Sequence, residues 1–309
     1  MSEAENRVRI GFVGFGEAGG ILAAALAQRP GTLVSAYDIL LDDPASAPAM
    51  AAKAAAAGVA LCPSLSALLG GADLIFSAVT ASAAADVASA AARYLKPGHS
   101  FLDINSVAPK TKQESARAIE ACGAAYIEVA VMSPVPPKGL AVPLLLGGAG
   151  SGEMARRLNG LGMNARSLGE EVGLASAIKM CRSVMVKGLE ALALECLFAA
   201  RHYGAEQQVL ASLAASYPGM GWDKDLPDYL VSRIAVHGRR RAAEMREVAR
   251  TLADAGIPPR LASATAELED GLIDALEAAG LAFGAAAEGE DFSWRETADA
   301  LAAKRMTSR

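Results

Sequence analysis

The sequence predicts an α/β domain built on a doubly wound parallel sheet, followed by an all-helical domain. Three observations support this fold class. Short apolar runs alternate with helical segments over residues 1–169, as in repeated βαβ units. A glycine-rich segment at 14–19 joins the first apolar run to the first helical segment. Beyond these residues the patterns are helical, beginning with a long segment at about 171–203. We therefore predict one domain over residues 1–169 and a helical domain over residues 170–309.

The order of elements in the first domain follows from eight β-rich apolar runs. Glycine and proline pairs such as Pro30–Gly31 and Pro97–Gly98 end the helical segments between these runs. In the second domain, Gly204, Gly238 and Gly256 are predicted to interrupt the helices. The predicted strands are 9–13, 33–38, 59–62, 73–79, 100–105, 125–132, 143–146 and 165–168.

Composition limits the classes of protein that the chain represents. Of its 309 residues, 52% are hydrophobic and 20% are charged, which is typical of a folded globular protein. Lys and Arg number 29 and Asp and Glu number 34, so the net charge of -5 disfavours nucleic-acid binding. We find no signal-peptide pattern and no membrane-spanning stretch, and expect a soluble, cytoplasmic protein with no membrane partner. No cysteine pair or acidic and histidine cluster has metal-ligand spacing, so no metal is expected.

The first motif with chemical meaning is Gly14–Phe15–Gly16–Glu17–Ala18–Gly19, which fits the pattern G-x-G-x-x-G. It directly follows a predicted strand and opens a predicted helix, which is the context of the phosphate-binding turn in Rossmann-type domains. The helix N-terminus presents N–H groups and a partial positive charge to a pyrophosphate. We therefore assign all six residues to the binding of a dinucleotide, the alternative being a flexible turn without a ligand.

Asp38 ends the second predicted strand and indicates which dinucleotide is bound. A carboxylate at this position accepts hydrogen bonds from the ribose hydroxyls and repels a 2′-phosphate. Asp42 and Asp43 follow it, and the loop contains no arginine that would favour that phosphate. The sequence therefore predicts NAD as the cofactor, with NADP as the alternative.

With this loop and a helical second half containing the segment His237–Met245, the sequence resembles the β-hydroxyacid dehydrogenases. That family includes relatives of 6-phosphogluconate dehydrogenase and 3-hydroxyisobutyrate dehydrogenase. The chain is most similar to a poorly characterised subgroup with a divergent C-terminal domain. The resemblance covers most of the chain and implies the site residues described next.

The segment Asp103–Pro109 matches a family motif that touches both substrate and nicotinamide. The resemblance implies both roles for Asn105 and a substrate role for Ser106. Val79 and Thr80 end the preceding strand and are expected near the nicotinamide ribose, because ligands bind at the carboxyl ends of parallel strands. Capping of the following helix is the alternative role for Asn105 and Ser106.

A third family motif corresponds to Glu128–Pro134. The family usually has a glycine-rich turn here, whose N–H groups bind the carboxylate of the substrate. This sequence has Met132, Ser133 and Pro134 instead, and the proline has no N–H to donate. The resemblance therefore implies a substrate contact at Ser133 and a substrate that differs from the usual small hydroxy acid.

Lys179, six residues after Gly173, matches the catalytic lysine of the family. Arg182 and Ser183 share its predicted helix face and are assigned to substrate binding. A lysine with a pKa near 10.4 is a poor base at neutral pH, so desolvation and Arg182 are expected to lower the pKa of Lys179. The alternative is that this face is the solvated side of a long helix.

Two departures from the family bear on the reaction. Ser183 stands where an asparagine is common, and Val186 stands where decarboxylating members have a glutamate. The loss of that second acid predicts oxidoreduction without decarboxylation.

In relatives, residues of the C-terminal domain, sometimes those of the partner subunit, bind the anionic end of the substrate. This implies a substrate role for at least one of His237, Arg240 and Arg241, with His237 and Arg240 as the assigned residues, the alternative being a solvated basic stretch of helix. Helices rich in Ala and Leu predict a homodimer or a higher homo-oligomer. His99, in the turn after Pro97–Gly98, is expected on the surface.

The sequence therefore predicts reversible hydride transfer between NAD, or NADP, and a 3-hydroxy acid that carries a carboxylate, with Lys179 as general acid/base. A first alternative is an imine or carbonyl reductase on the same scaffold. A second is a nucleotide-binding protein without catalytic activity, which the departures at Ser183 and Ser133 motivate.

Overall fold

The computed structural model of the chain describes residues 7–283 and 292–307. The chain divides into two compact units, Met1–Met180 and Cys181–Arg309. This division falls inside the long helix that follows the sheet, whereas the sequence places the boundary after residue 169. Each unit is described separately below.

The first unit contains all eight predicted strands, and their positions agree with the β-rich runs to within a few residues. The strands are β1 (Val8–Val13), β2 (Thr32–Tyr37), β3 (Ala60–Leu61), β4 (Leu74–Ser77), β5 (Ser100–Asp103), β6 (Ala125–Val131), β7 (Pro143–Gly147) and β8 (Asn164–Ser167). The helices are α1 (Glu17–Ala27), α2 (Ala47–Ala57), α3 (Leu65–Gly71), α4 (Ala84–Ala91), α5 (Pro109–Glu120) and α6 (Ser151–Gly160), and α7 (Leu174–His202) begins in this unit.

The strands form one sheet in the order β3-β2-β1-β4-β5-β6-β7-β8. Every pair is parallel except β6 and β7, which are antiparallel. The expectation of a parallel sheet is wrong for this pair because the connection from β6 to β7 contains a short 3₁₀ turn, Gly139–Ala141, in place of a crossover helix. The predicted Rossmann-type α/β architecture is otherwise confirmed.

Both faces of the sheet are covered by apolar side chains, which explains why its central strands read as continuous apolar runs. Phe12 and Phe76 belong to one buried cluster, and their rings stack with centroids 4.9 Å apart. Their chain neighbours Val13 and Ile75 belong to another buried cluster. This alternation is the two-residue period of a strand, and it leaves the carboxyl ends of β1, β4 and β5 open to carry polar residues.

His99 is buried, so its predicted surface position is wrong. Its carbonyl oxygen accepts a hydrogen bond from the Ala125 N–H, which draws the residue into the edge where β5 and β6 begin. Burial, assisted by the charge of Lys96, lowers the pKa of His99.

The second unit is helical throughout its described residues, as the sequence predicts. It contains the rest of α7 together with α8 (Glu206–Ser216), α9 (Leu226–Asp254), α10 (Arg260–Ala279) and α11 (Trp294–Thr307). Its core packs Leu197 of α7 against Val231 and Ile234 of α9, Leu272 of α10 and Trp294 of α11.

Gly238 does not interrupt a helix, contrary to the sequence-based prediction, because α9 continues through it. A Cβ at Gly238 would lie 2.7 Å from the carbonyl oxygen of Glu269. The glycine therefore serves the close approach of α9 to α10 and does not mark a turn.

Within residues 7–283 and 292–307, no helix combines the length and the apolarity that a bilayer crossing requires. Over the same ranges, no group of three or more His, Cys, Asp and Glu side chains is arranged to hold a metal ion.

Candidate active site

The glycine-rich loop has the shape that a dinucleotide requires. Gly14 has a φ of +92°, and a Cβ there would lie 2.4 Å from the carbonyl oxygen of Ala78. A Cβ at Gly19 would lie 2.4 Å from the carbonyl oxygen of Gly14, so α1 packs directly on the turn. At Gly16, a Cβ would meet no atom of the described chain within 4 Å. The loop is therefore closed toward the protein and open at its second glycine, where a pyrophosphate approaches the backbone in such motifs.

Asp38 lies beside this loop, as the motif predicts. Its carboxylate accepts hydrogen bonds from the N–H of Phe15, at 2.7 Å, and from the N–H of Leu40, at 3.0 Å. These bonds fix the carboxylate against the second residue of the motif. Each of its oxygens keeps a further lone pair with which to accept a ribose hydroxyl.

Lys53 is a member of this region that the sequence analysis missed. Its ammonium donates to the carbonyl oxygens of Phe15 and Gly16, at 2.6 and 2.8 Å, and lies 5.1 Å from the ring centroid of Phe15. A positive charge therefore braces the glycine-rich loop. In the sequence, Lys53 is a single lysine within the alanine-rich segment of α2. A lone lysine in such a segment is usually an exposed residue with no specific role, so the sequence offered no reason to assign it to the loop.

Asn105 connects the carboxyl ends of β4 and β5. Its Oδ1 accepts a hydrogen bond from the N–H of Val79 at 2.7 Å. Its Nδ2 donates to Ser77 Oγ at 2.9 Å and to Asp103 Oδ1 at 2.7 Å. The buried side chain thus uses both of its N–H donors inside the protein, and the structure brings it together with Val79 as predicted. Thr80 follows at the exposed end of the same segment.

The predicted catalytic lysine reaches the predicted substrate motif. Lys179 Nζ donates to Ser106 Oγ at 2.5 Å, across 73 positions of sequence. Both residues are half-buried, Ser106 just after β5 and Lys179 in the second turn of α7. An amine beside a hydroxyl at the carboxyl edge of a parallel sheet is an arrangement suited to proton transfer to or from a bound ligand.

Five further predicted substrate residues lie in other segments of the two units. Ser133 follows β6 and is half-buried, with its hydroxyl 3.5 Å from the carbonyl oxygen of Pro134. The other four belong to the second unit, where Ser183 is buried, His237 is half-buried, and Arg182 and Arg240 are exposed.

Four buried polar residues next to this site were not predicted to serve it. Asp103 and Tyr126 hydrogen-bond each other, Lys112 pairs with Asp103, and Glu128 accepts N–H groups at the start of α7. Asp103 and Glu128 lie inside motifs that the sequence analysis quoted. The signal that could have identified Lys112 and Tyr126 was a polar side chain among neighbours that are otherwise apolar and buried.

Comparison with protein families agrees with this geometry. The NAD-binding domain of 6-phosphogluconate dehydrogenase matches residues 9–136, which contain the glycine-rich loop, Asp38 and Asn105. A domain of unknown function (DUF1932) matches residues 200–272 in the second unit.

Solved structures extend the likeness to the whole chain. A conserved hypothetical protein from Sinorhizobium meliloti 1021 is 37% identical, with 96% of each chain covered and a TM-score of 0.72. A conserved protein of unknown function, described as structurally similar to 3-hydroxyacid dehydrogenases, is 32% identical, with 86% of this chain and 97% of that chain covered and a TM-score of 0.65. A 3-hydroxyisobutyrate dehydrogenase from Mycobacterium tuberculosis shares the fold, at 18% identity and a TM-score of 0.69 over 96% of this chain and 99% of that one.

The match to the NAD-binding domain of 6-phosphogluconate dehydrogenase, together with these relatives, identifies an NAD(P)-dependent oxidoreductase that acts on a small molecule. Its cofactor is NAD or NADP. The chain belongs to the β-hydroxyacid dehydrogenase family.

Proposed function

We propose that the chain catalyses reversible hydride transfer between NAD and a carboxylate-bearing 3-hydroxy acid, without decarboxylation, with Lys179 as general acid/base. The observation that carries this proposal is the hydrogen bond from Lys179 Nζ to Ser106 Oγ at the carboxyl edge of the sheet. It joins the two residues that the family motifs assign to the reacting hydroxyl.

The chain's own residues are suited to hold the dinucleotide. The N–H groups at the start of α1 and the open space at Gly16 would receive the pyrophosphate. Asp38 would accept the ribose hydroxyls, which favours NAD over NADP. Val79 and Thr80 would line the nicotinamide ribose, with the Val79 backbone fixed by Asn105. When bound, the cofactor supplies the acceptor or donor of the hydride.

Lys179 and Ser106 would manage the proton of the substrate. In the oxidative direction, neutral Lys179 removes the hydroxyl proton as the carbon loses its hydride; in the reductive direction, its ammonium returns that proton. Ser106, already hydrogen-bonded to the amine, orients the substrate oxygen on the same group. Ser133, whose hydroxyl makes one marginal contact, is the proposed partner of the substrate carboxylate.

Four residues of the second unit are proposed substrate contacts that rest on the sequence alone. We retain Arg182, Ser183, His237 and Arg240 as substrate-binding residues, on the sequence argument that relatives bind the anionic end of the substrate with their C-terminal domain. The helices rich in Ala and Leu support a homodimer or a higher homo-oligomer. Val186, in place of the family's second acid, supports the absence of decarboxylation.

Turnover of NAD⁺ and NADP⁺ with a panel of 3-hydroxy acids tests the proposal, with Lys179→Ala beside the wild-type chain. We expect oxidation that prefers NAD⁺ and falls by at least ~10²-fold in the variant, the scale of a lost general acid/base. Lys96→Ala is the matched control, because exposed Lys96 precedes β5 at the opposite edge of the sheet and should leave the rate unchanged.

Two results would contradict the proposal. Equal activity of Lys179→Ala and wild type would assign the proton to another group. Reduction of cyclic imines or ketones by NADH or NADPH, without oxidation of any hydroxy acid, would identify an imine or carbonyl reductase on the same scaffold.

A further inference from the structure

Two buried carboxylates lie side by side on neighbouring strands of the sheet. Asp103 on β5 and Glu128 on β6 are register partners, and each has a relative exposure of 0%. Removal of a carboxylate from water costs several kcal/mol unless charge and hydrogen bonds compensate for it. The donors and cations that compensate the charge of these two carboxylates are therefore held in fixed positions by the fold.

Asp103 holds the turn that leads to Ser106. Its Oδ1 accepts hydrogen bonds from the N–H of Asn105, at 3.0 Å, and from Asn105 Nδ2, at 2.7 Å. The four hydrogen bonds of Asn105, to Asp103, Ser77 and Val79, then leave the next residue, Ser106, little freedom in its backbone.

Lys112 and Tyr126 fix Asp103 in turn. Lys112 Nζ lies 2.9 Å from Asp103 Oδ1 and donates to the carbonyl oxygen of Asp103 at 2.7 Å. Tyr126 Oη donates to Asp103 Oδ2 at 2.8 Å. Burial, together with the Asp103 carboxylate, raises the pKa of Tyr126 well above its usual value, so the phenol remains a donor.

Glu128 holds the start of the helix that carries Lys179. Its Oε2 accepts from the N–H of Gly173 at 2.7 Å, and its Oε1 accepts from the N–H of Ser176 at 2.6 Å. Gly173 immediately precedes α7 and Ser176 lies in its first turn, where N–H groups have no intrahelical acceptors. A carboxylate at a helix N-terminus is also favoured by the helix dipole. Lys179, three residues after Ser176, lies over this capped turn.

We propose that Asp103 and Glu128 are positioning residues for the Lys179–Ser106 pair, Asp103 through the turn that carries Ser106 and Glu128 through the first turn of α7. Two residues paired across β5 and β6 thus fix both partners of the proton-transferring contact. This inference rests on the proposed function of Lys179.

The first variant is Glu128→Gln, which keeps the length of the side chain and removes its charge. The amide has one acceptor oxygen for two N–H groups, so the start of α7 loses a bond. We expect kcat to fall by at least about tenfold, because small displacements of a catalytic group are costly. KM and the dissociation constant of NAD⁺, measured by calorimetry, should stay within about twofold of wild type. Glu114→Gln, the same change at an exposed position of α5, is the matched control. It should leave kcat, KM and the dissociation constant of NAD⁺ unchanged.

A second readout reports on Lys179 without turnover. Reductive ¹³C-methylation of the lysines, with Lys179→Arg to assign the signal, gives the titration midpoint of Lys179 by NMR. In Glu128→Gln this midpoint should move to lower pH, because a nearby negative charge is gone. Glu128→Asp keeps the charge and loses reach, so we expect a midpoint near that of wild type and a reduced kcat.

Asp103 is tested with Tyr126→Phe as well as Asp103→Asn, because the latter leaves the charge of Lys112 buried and uncompensated. The tyrosine variant removes one neutral donor, and we expect kcat to fall by about threefold to tenfold with KM unchanged.

The outcomes separate this inference from the proposed function. If the variants lower the melting temperature but leave both kcat and the Lys179 midpoint unchanged, the carboxylates are structural and the inference is wrong. If the wild-type chain turns over no substrate, the proposed function fails. An unchanged Lys179 midpoint in Glu128→Gln would then overturn the role given to Glu128, and a shift to lower pH would support it.

Discussion

Buried carboxylates in the two units of the chain differ in how fully they are hydrogen-bonded. In the first unit, each oxygen of Asp103 and Glu128 accepts at least one hydrogen bond. In the second unit, Glu269 is equally buried, yet neither of its oxygens has a hydrogen-bond partner among the described residues. The contrast shows that burial alone does not determine what a carboxylate does. A buried carboxylate whose two oxygens accept hydrogen bonds fixes the positions of its donors. A buried carboxylate without such donors has a raised pKa instead.

The neighbours of Glu269 form a buried ionic cluster between α7, α9 and α10. Arg241 on α9 hydrogen-bonds Glu190 on α7, and its Nε lies 3.7 Å from Glu269 Oε1, beyond hydrogen-bond distance. Lys187 and Glu244 form a second pair at 2.6 Å. Arg241 thus faces two buried carboxylates and satisfies one of them, so the stability of the second unit depends on this guanidinium.

The largest expected effect therefore follows from Arg241→Met, which removes the cation that hydrogen-bonds Glu190 and faces Glu269. We expect the second unit to lose about 3–5 kcal/mol, the usual cost of breaking a buried ion pair by removing one partner. Calorimetric unfolding of the full chain measures it, because two compact units allow two transitions.

Arg239→Met is the matched control on the same helix. Arg239 pairs with Asp274 and Glu277 at the exposed surface, where ion pairs contribute little. Equal destabilisation by the two variants would remove the distinction between the buried cluster and the surface.

The next effect belongs to the first unit and should leave the second unit intact. Gly14→Ala would place a Cβ 2.4 Å from the carbonyl oxygen of Ala78 at a φ of +92°. We expect affinity for NAD⁺ to fall by about 10²-fold, or roughly 3 kcal/mol, as the turn opens. Calorimetric titration with NAD⁺ measures this loss.

Gly152→Ala in α6 provides the comparison, because a Cβ there meets nothing within 4 Å in the part of the chain that the structure describes. It should bind NAD⁺ like wild type. Wild-type affinity in Gly14→Ala would show that the loop tolerates a side chain and is not shaped for a dinucleotide.

The same contrast explains how much the sequence could predict. The strands and the glycine-rich loop follow from local patterns, and the placing of polar residues at strand ends follows from the rule that ligands gather at the carboxyl ends of parallel strands. Lys179 was assigned through the resemblance to the family, because its helix face alone also fits the solvated side of a long helix. The antiparallel pairing of β6 and β7 was missed because the relative direction of two strands depends on the segment that connects them. That segment has no periodic pattern of apolar residues from which its path could be predicted. Asp103 and Glu128 were read only as parts of motifs, because a side chain's hydrogen-bond partners up to 48 positions away leave no local pattern.

In the second unit the sequence predicted helices but not their contacts. Gly238 indicated a break by composition, yet it permits close packing of α9 on α10. Glu190, Arg241 and Glu269 each stand in a predicted helical segment, where a charged residue is ordinarily expected at the surface. Their burial is a tertiary property, set by which helix faces meet, and composition does not specify that choice.

The smallest expected effect concerns the pH dependence of the second unit. Burial raises the pKa of Glu269 from about 4.5 to about 8, although the charges of Arg241 and Lys187 oppose this rise and those of Glu190 and Glu244 add to it. Above pH 4.5 the unfolded chain releases this proton while the folded chain keeps it until about pH 8. The contribution of Glu269 to stability is therefore complete below pH 4.5 and is lost as the pH rises toward 8.

Glu269→Gln cannot ionise, so it should lack this part of the pH dependence. We expect the difference in unfolding free energy between variant and wild type to change by about 1–3 kcal/mol in favour of the variant from pH 5 to pH 8. Glu267→Gln, an exposed position on the same helix, should follow the wild-type curve. Parallel curves for Glu269→Gln and wild type would mean that Glu269 is ionised when buried, and that Arg241 compensates it as fully as Lys112 compensates Asp103.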